Sequence, residues 1–435
     1  MCAEVQLIVQ TNRAVLPVAE GQQLLYVLVE TKPTSAVADV RMPLNFSLVL
    51  DHSGSMSGAK LDSLKEAAKV AVGQMGPQDL VSIVVFDDKV EVVVPSGPVT
   101  DVELLNRRID RIRDGGGTEM SRGMRKGLDE LRKGLKSEPD RVSRMLLLTD
   151  GETFGDEEVC RQLAVEAEEL GITVAALGLG EEWNEQLLDD IAQASGGSSD
   201  FVSAGRPDVI LDAFYTLVQS AQTTVVRDAD MILRLVAGVT PRAVWRVRPM
   251  ITRLSHQALS DRDVQVHLGD MDREQGQSVL VEMLIPPRQP GTYRVAQAEV
   301  SYDVAATDAV DEEPPGSQAK RSSYLHRREK ADVIVDVVAD PAQVAQSNPY
   351  VMNVVEKVTA HKLQTRALDE AGRGDITGAT QKLRAAATRL LALGEEELAQ
   401  TALEEADRLD RGEDLSARGT KKLRYETRKL DQLEK

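Results

Sequence analysis

The sequence predicts a multidomain protein in which a doubly wound, Rossmann-like α/β domain is flanked by the strands of a β-sandwich and followed by an α-helical tail. Three observations predict it. From residue 44, apolar strand-like runs alternate with helical patterns, as in a parallel sheet covered by helices. On either side of that region the chain is a series of short strand patterns punctuated by Gly, Pro and Asp. From Pro349 onward the strand patterns stop and apolar residues recur every three or four positions. The boundaries that follow are 1–42 for the first sandwich strands, 43–222 for the α/β domain, 223–340 for the rest of the sandwich and 341–435 for helical hairpins.

Within the α/β region LNFSLVL reads as a buried strand and GAKLDSLKEAAKVAVGQM as a helix, while DLVSIVVFDDKVEVVVP reads as two strands turning at Asp87, Asp88 and Lys89. VELLNRRIDRI and SRGMRKGLDELRKGL have helical spacing. RMLLLTD, ITVAALGLG and DFVSA are strands, separated by the helices EEVCRQLAVEAEELG and NEQLLDDIAQASGG, and RPDVILDAFYTLVQSAQ is a closing helix. EVQLIVQTN and QQLLYVLVETK before this region, and MILRLVAG, RAVWRVRP, VQVHLGDM, QSVLVEMLIPP, YRVAQAEVSYDV and ADVIVDVVAD after it, are assigned to one sandwich, the alternative being two unrelated β pieces. Residues 311–330, DEEPPGSQAKRSSYLHRREK, are polar and turn-rich, which predicts an exposed loop. In the tail Ile376, Ala379, Leu383, Ala386 and Leu390 mark one helical face, and GRGD, LGEEE and RGEDLS break the helices. The tail spacing is faintly similar to a tetratricopeptide unit but lacks its full signature.

Composition narrows the function classes. With 42% hydrophobic and 28% charged residues over 435 positions the chain can bury a large core, and 3% aromatic residues means that Val, Leu, Ala and Ile do the packing. A formal net charge of −18 repels phosphate backbones and anionic lipids, which argues against nucleic acid and membrane surfaces as partners. Cys2 and Cys160 provide no disulfide framework, and MCAEVQLIVQTNR lacks a basic segment followed by an apolar core. The expected location is cytoplasmic.

One stretch carries chemistry. In NFSLVLDHSGSMSG a buried strand ends in Asp51, with Ser53 and Ser55 on the same side of the next turn. GGGTEM places Thr118 in a glycine-rich loop before a helix, and LLLTDGE places Asp150 just after a strand. Loops at the carboxyl ends of neighbouring strands form the ligand crevice of an open α/β sheet, so these five oxygen ligands can converge there. Carboxylates and hydroxyls are hard ligands suited to magnesium. Asp51 and Asp150 balance a divalent charge while the hydroxyls add none, leaving the ion electrophilic toward one further anionic ligand. The simpler reading, in which Ser and Asp only cap helices, accounts for one loop but not for three at one sheet edge.

Enzyme templates do not fit. DHSGS lacks the Gly two places before the serine of a nucleophile elbow, GGGTEMSRG lacks the Gly-Lys-Ser/Thr of a P-loop, and Ser53 stands where a haloacid-type phosphatase needs a second Asp. His52 lies between two ligands with its ring expected to turn to the rim, Glu119 suits a helix start, and His256, His267, His326 and His361 read as surface or packing residues. Cys160 reads as a small buried apolar residue. Met56, Glu152, His52 and Glu119 are the candidates for a partner-binding rim.

The five residues Asp51, Ser53, Ser55, Thr118 and Asp150 reproduce the D-x-S-x-S, Thr and Asp pattern of the metal-ion-dependent adhesion site, and residues 43–222 resemble the von Willebrand factor A-type domain. That resemblance implies a divalent cation, usually magnesium, with manganese or calcium as substitutes, whose open position takes a Glu or Asp from a protein ligand. The layout of flanking β segments is similar to that of bacterial relatives of inter-alpha-trypsin inhibitor heavy chains, by fold analogy. The function expected is a non-enzymatic adaptor that binds a protein partner bearing an exposed Glu or Asp through the cation. The alternative is a regulatory or substrate-recruiting subunit of an AAA+ ATPase machine, and a third reading is a scaffold with a structural metal.

Overall fold

The computed structural model describes residues 3–37, 41–138, 141–153, 155–180, 182–202, 207–254, 257–258, 262–274, 276–305, 324–344 and 347–431. The chain divides into two compact units, Val40–Thr224 and Met1–Asp39 with Val225–Lys435. Three strands open it, β1 (Val5–Thr11), β2 (Val15–Pro17) and β3 (Gln23–Pro33). The α/β unit then runs β4 (Leu44–Asp51), α1 (Ala59–Gly73), β5 (Leu80–Phe86), β6 (Val90–Pro98), α2 (Val102–Ile109), α3 (Met120–Ser137), β7 (Val142–Thr149), α4 (Glu157–Glu169), β8 (Ile172–Leu179), α5 (Glu185–Ala194), β9 (Ser199–Val202) and α6 (Pro207–Gln222). The chain continues through β10 (Thr224–Leu235), β11 (Thr240–Arg248), β12 (Thr252–Arg253), β13 (Gln257–Ala258), β14 (Asp263–Asp272), β15 (Gln277–Ile285), β16 (Gly291–Ala305) and β17 (Tyr324–Val338). It closes with α7 (Pro349–Gly372), α8 (Ile376–Ala392), α9 (Glu396–Asp410) and α10 (Ala417–Glu426).

In the α/β unit the strand order is β6-β5-β4-β7-β8-β9, antiparallel only between β5 and β6. The chain runs outward from β4 to β5 and β6, then returns through α3 to β7 on the other side of β4. Strand order therefore reverses between β4 and β7, which is where a ligand crevice forms in such sheets. Every residue of β4 is buried, as its nearly continuous apolar run requires. Its polar members are paired: Asn45 Nδ2 donates to Leu131 O at 2.9 Å, and the Ser82 hydroxyl donates to Ser47 Oγ at 2.9 Å. Helix α3 lies close on this strand because it presents glycine there. A β-carbon at Gly127 would stand 2.5 Å from Val49 Cγ2 and 3.0 Å from Met145 Cε.

In the second unit β1-β3-β15-β11-β12 form one sheet and β13-β14-β10-β16-β17-β2 the other. The early strand β3 pairs with the late strand β15, Val27 opposite Val281 and Val29 opposite Val279, so both flanks of the α/β region contribute to one sheet. Leu25, Val27 and Val29 of β3 and Val279, Val281 and Met283 of β15 face the core shared with the second sheet, packed with Met231, Val300 and Tyr302. The alternate positions Leu28 and Leu280, with Trp245, face a separate core filled by Val351, Val355, Leu383, Leu390 and Leu398 of the helical hairpins. Both faces of this sheet are buried, which is why QLLYVLV and SVLVEML are apolar without alternation. The predicted helix breaks stand, and Asp375 caps α8 by accepting the Gly378 N–H at 2.9 Å.

One expectation needs correction. Residues 311–323 lie outside the described residues, but Tyr324–Lys330 is not loop; it is the first half of β17. Its charges replace apolar alternation by cross-strand pairing with β16. Arg328 Nε and Lys330 Nζ reach Glu299 at 3.0 and 3.1 Å, and His326 Nδ1 meets Asp303 Oδ1 at 2.9 Å.

Two tests follow from this packing. Gly127→Ala is expected to lower stability by about 1–3 kcal/mol, the usual penalty of forcing a methyl group into a filled core; an unchanged urea-denaturation midpoint for the full chain refutes the close packing of α3. The second concerns His267, whose Nδ1 lies 3.1 Å from Asp230 Oδ1. The hydrogen bond to Asp230 raises its pKa above the usual 6.5 against the opposing effect of burial. Its stabilising contribution is complete below the unfolded value and is lost as pH rises through the raised folded value. His267→Gln should therefore flatten the decline in stability above about pH 6.5, read as denaturation midpoints between pH 6 and 9; an identical slope in the variant counts against the pair.

Candidate metal centre

Asp51 ends β4 and Asp150 follows β7, so both carboxylates stand at the strand-order reversal. Asp51 is 0% and Asp150 1% exposed. Asp51 Oδ1 accepts the Ser53 N–H at 2.8 Å and Oδ2 accepts the Thr149 hydroxyl at 2.6 Å, which ties the ends of β4 and β7 together. The Ser53 and Ser55 hydroxyls lie 3.1 Å apart, and Ser55 donates to Asp150 Oδ1 at 2.6 Å. Four of the five expected residues thus form one hydrogen-bonded chain. Thr118 adjoins it: a β-carbon on Gly151 would stand 3.7 Å from Thr118 Oγ1 and 3.8 Å from Ser55 Oγ.

The glycine-rich loop is held from both sides. Gly115 N–H donates to His52 O at 2.7 Å and Gly54 N–H to Gly116 O at 3.0 Å, while Asp87 Oδ2 accepts the Gly116 N–H at 2.9 Å. Burial pushes the Asp87 pKa up, but the Gly116 and Lys89 amides together hold it below the usual carboxylate range. A β-carbon at Gly115 would fall 1.9 Å from Asp87 Oδ2, so only glycine lets the loop approach. On the far side Thr153 donates to Thr118 O at 3.3 Å and Asp156 accepts the Ser121 N–H at 2.7 Å, which fixes the first turn of α3.

Burial, and to a lesser extent the charge of Asp150, raises the pKa of Asp51. A cation placed between these groups would offset both effects, and the donor set of two carboxylates and three hydroxyls fits a hard divalent ion.

The rim residues part company. Met56 is fully buried and does not belong to the rim: the turn closed by its own N–H to Ser53 O at 2.9 Å directs the thioether into the core while Gly54 and Ser55 face outward. His52 is turned from the ligands, its Nδ1 2.6 Å from Arg113 O and its Nε2 4.0 Å from Asp87 Oδ2. Glu119 starts α3 and pairs with Arg122 at 2.7 Å, whereas Glu152 is exposed. A cleft of about 600 Å³ opens beside the site, lined by His52, Asp87, Lys89, Arg108, Arg111 and Arg113 among others. His361 is buried against Thr427, 2.9 Å away, and His256 lies outside the described residues. Cys160 is a buried free thiol whose pKa burial pushes up. Sequence reasoning missed Thr149, visible as the residue before Asp150, and Lys60, whose Nζ lies 2.5 Å from Asp150 Oδ2.

Comparison with known proteins agrees with the fold. Residues 45–208 match the von Willebrand factor type A domain and residues 349–433 the Sll0103-like, C-terminal alpha-helical domain. Protein sll0103 of Synechocystis is 32% identical over 277 residues, covering 62% of this chain and 64% of its own length. The mouse inter alpha-trypsin inhibitor heavy chain 4 is 28% identical over 191 residues, 42% of this chain and 20% of its length. The chain thus spans less than two thirds of either relative. A solved structure described as von Willebrand factor type A from Catenulispora acidiphila superposes with a TM-score of 0.74 at 17% identity, over 97% of this chain and 96% of that one, and so shares the fold. Residues 45–208 are a von Willebrand factor type A domain, followed by a sheet-rich region and, over residues 349–433, a C-terminal α-helical domain.

Proposed function

We propose that the α/β domain is a non-enzymatic docking module in which Asp51, Ser53, Ser55, Thr118 and Asp150 hold a divalent cation, magnesium first, with manganese or calcium as substitutes. When bound, the cation supplies an electrophilic position for a Glu or Asp carboxylate of a protein partner. One observation carries the reading: two buried carboxylates, linked by serine hydroxyls, meet where strand order reverses. Domains of this family often mediate protein interaction in this way.

The chain's own residues divide the task. Thr149 and the Ser53 amide orient Asp51, and Ser55 orients Asp150. The Asp87-braced loop presents Thr118, and the adjoining cleft is lined by both signs of charge, Lys89, Arg108, Arg111 and Arg113 with Asp87, Glu91 and Asp114. In the described residues no helix is long and apolar enough to cross a membrane, and the proposed setting is the cytoplasm.

Titration calorimetry of the full chain with magnesium chloride tests the assignment. Asp51→Asn and Asp150→Asn are each expected to abolish the binding heat while leaving the circular dichroism spectrum unchanged, because both side chains serve the site rather than the core. Magnesium affinity equal to that of the parent chain would sink the proposal. A partner captured with magnesium should be released by EDTA and missed by the Asp150→Asn variant. Association with an AAA+ motor that requires ATP would assign the same site to substrate recruitment.

A further inference from the structure

Lys60 enters the site from the first turn of α1, two residues after Gly58, whose φ of 73° turns the chain from the ligand loop into the helix. Its ammonium lies 2.5 Å from Asp150 Oδ2, while Ser55 holds Oδ1 of the same carboxylate at 2.6 Å. Both oxygens of Asp150 are therefore engaged, one of them by a full positive charge. Asp51 is treated differently. It accepts from the Thr149 hydroxyl and the Ser53 amide, neither of them charged.

The two ends of the ion pair differ in freedom. The Asp150 side chain is 0% exposed and cannot leave, but the Lys60 side chain is 33% exposed and hangs on four methylenes. The ammonium can therefore exchange Asp150 for water by rotation alone. A divalent ion that uses Oδ2 must take it from this ammonium.

We propose that Lys60 is a counter-ion built into the site, which neutralises Asp150 and competes with the divalent cation for Oδ2, thereby setting the metal affinity. The proposal deepens the docking reading above and rests on it for the identity of the competing ion. It follows from charge. Two buried carboxylates carry −2 between them, Lys60 reduces that to −1, and each step of cation binding is weaker for the ammonium already present.

The test is calorimetric titration of the full chain with magnesium and with manganese, alongside Lys60→Met, Lys60→Arg and the double variant Lys60→Met/Asp150→Asn. Lys60→Met is expected to bind both ions roughly tenfold to a hundredfold more tightly, the range for loss of one hydrogen bond between charged groups. Lys60→Arg should stay near the parent affinity, and the double variant should bind neither ion. In EDTA the thermal midpoint of Lys60→Met should fall, and the Asp150→Asn substitution on that background should restore it. Equal or weaker affinity in Lys60→Met, with the parent chain binding measurably, overturns the role of Lys60 alone. Absence of binding in both proteins overturns the metal reading and the competition with it, while the EDTA midpoints still report the ion pair.

Discussion

The structure of the α/β domain turns on the cost of keeping Asp51 and Asp150 away from water at the ends of adjacent strands. A buried carboxylate is tolerated only where donors replace its hydration. Here the donors come from three segments: Ser53 and Ser55 after β4, Thr149 at the end of β7, and Lys60 from α1. Each bond that stabilises an acid also ties one loop to another, so the same contacts that make the site possible define its shape. The glycine-rich loop joins through backbone bonds to His52 and Gly54, which brings Thr118 alongside without adding charge.

That arrangement needs a rigid base, and β4 provides it. Buried on both faces and paired in parallel with β5 and β7, the strand has no register to which it can slip without exposing a row of apolar side chains. Gly127 lets α3 close over Val49, so the helix that follows Thr118 is set by direct contact with the strand that delivers Asp51. Positioning and packing are here one problem.

The second unit meets buried charge in the same way. Glu299 is nearly inaccessible; burial alone would raise its pKa, but Lys330 and Arg234 hold it below the usual carboxylate range. Glu282 sits between sheet and helices, where it accepts the Trp245 indole N–H at 3.2 Å and meets Lys362 at 3.3 Å. Neither glutamate marks a ligand site. Both show that a buried acid in this protein is paired with a donor from another element, as Asp51 is with the Thr149 hydroxyl of β7.

Much was legible from local pattern. The alternation of strands and helices from residue 44, the turn at Asp87–Lys89 and the breaks between the tail helices depend on neighbours within a few positions, and so did the recognition that Asp51, Ser53 and Ser55 share one turn. Residues 324–330 misled because their cross-strand partners on β16 lie some distance back in the chain, and a charged strand without those partners looks like a loop. Met56 misled because whether an apolar residue in a short turn faces solvent or core depends on what lies beneath it. By itself the sequence determined the order of the elements and the kinds of oxygen ligand at their ends, since both follow from backbone preference and short-range spacing. Only the tertiary structure decided that Thr149 would bond Asp51 and Lys60 would meet Asp150, because such pairs join residues 98 and 90 positions apart and exist only once the strands have taken their places in the sheet.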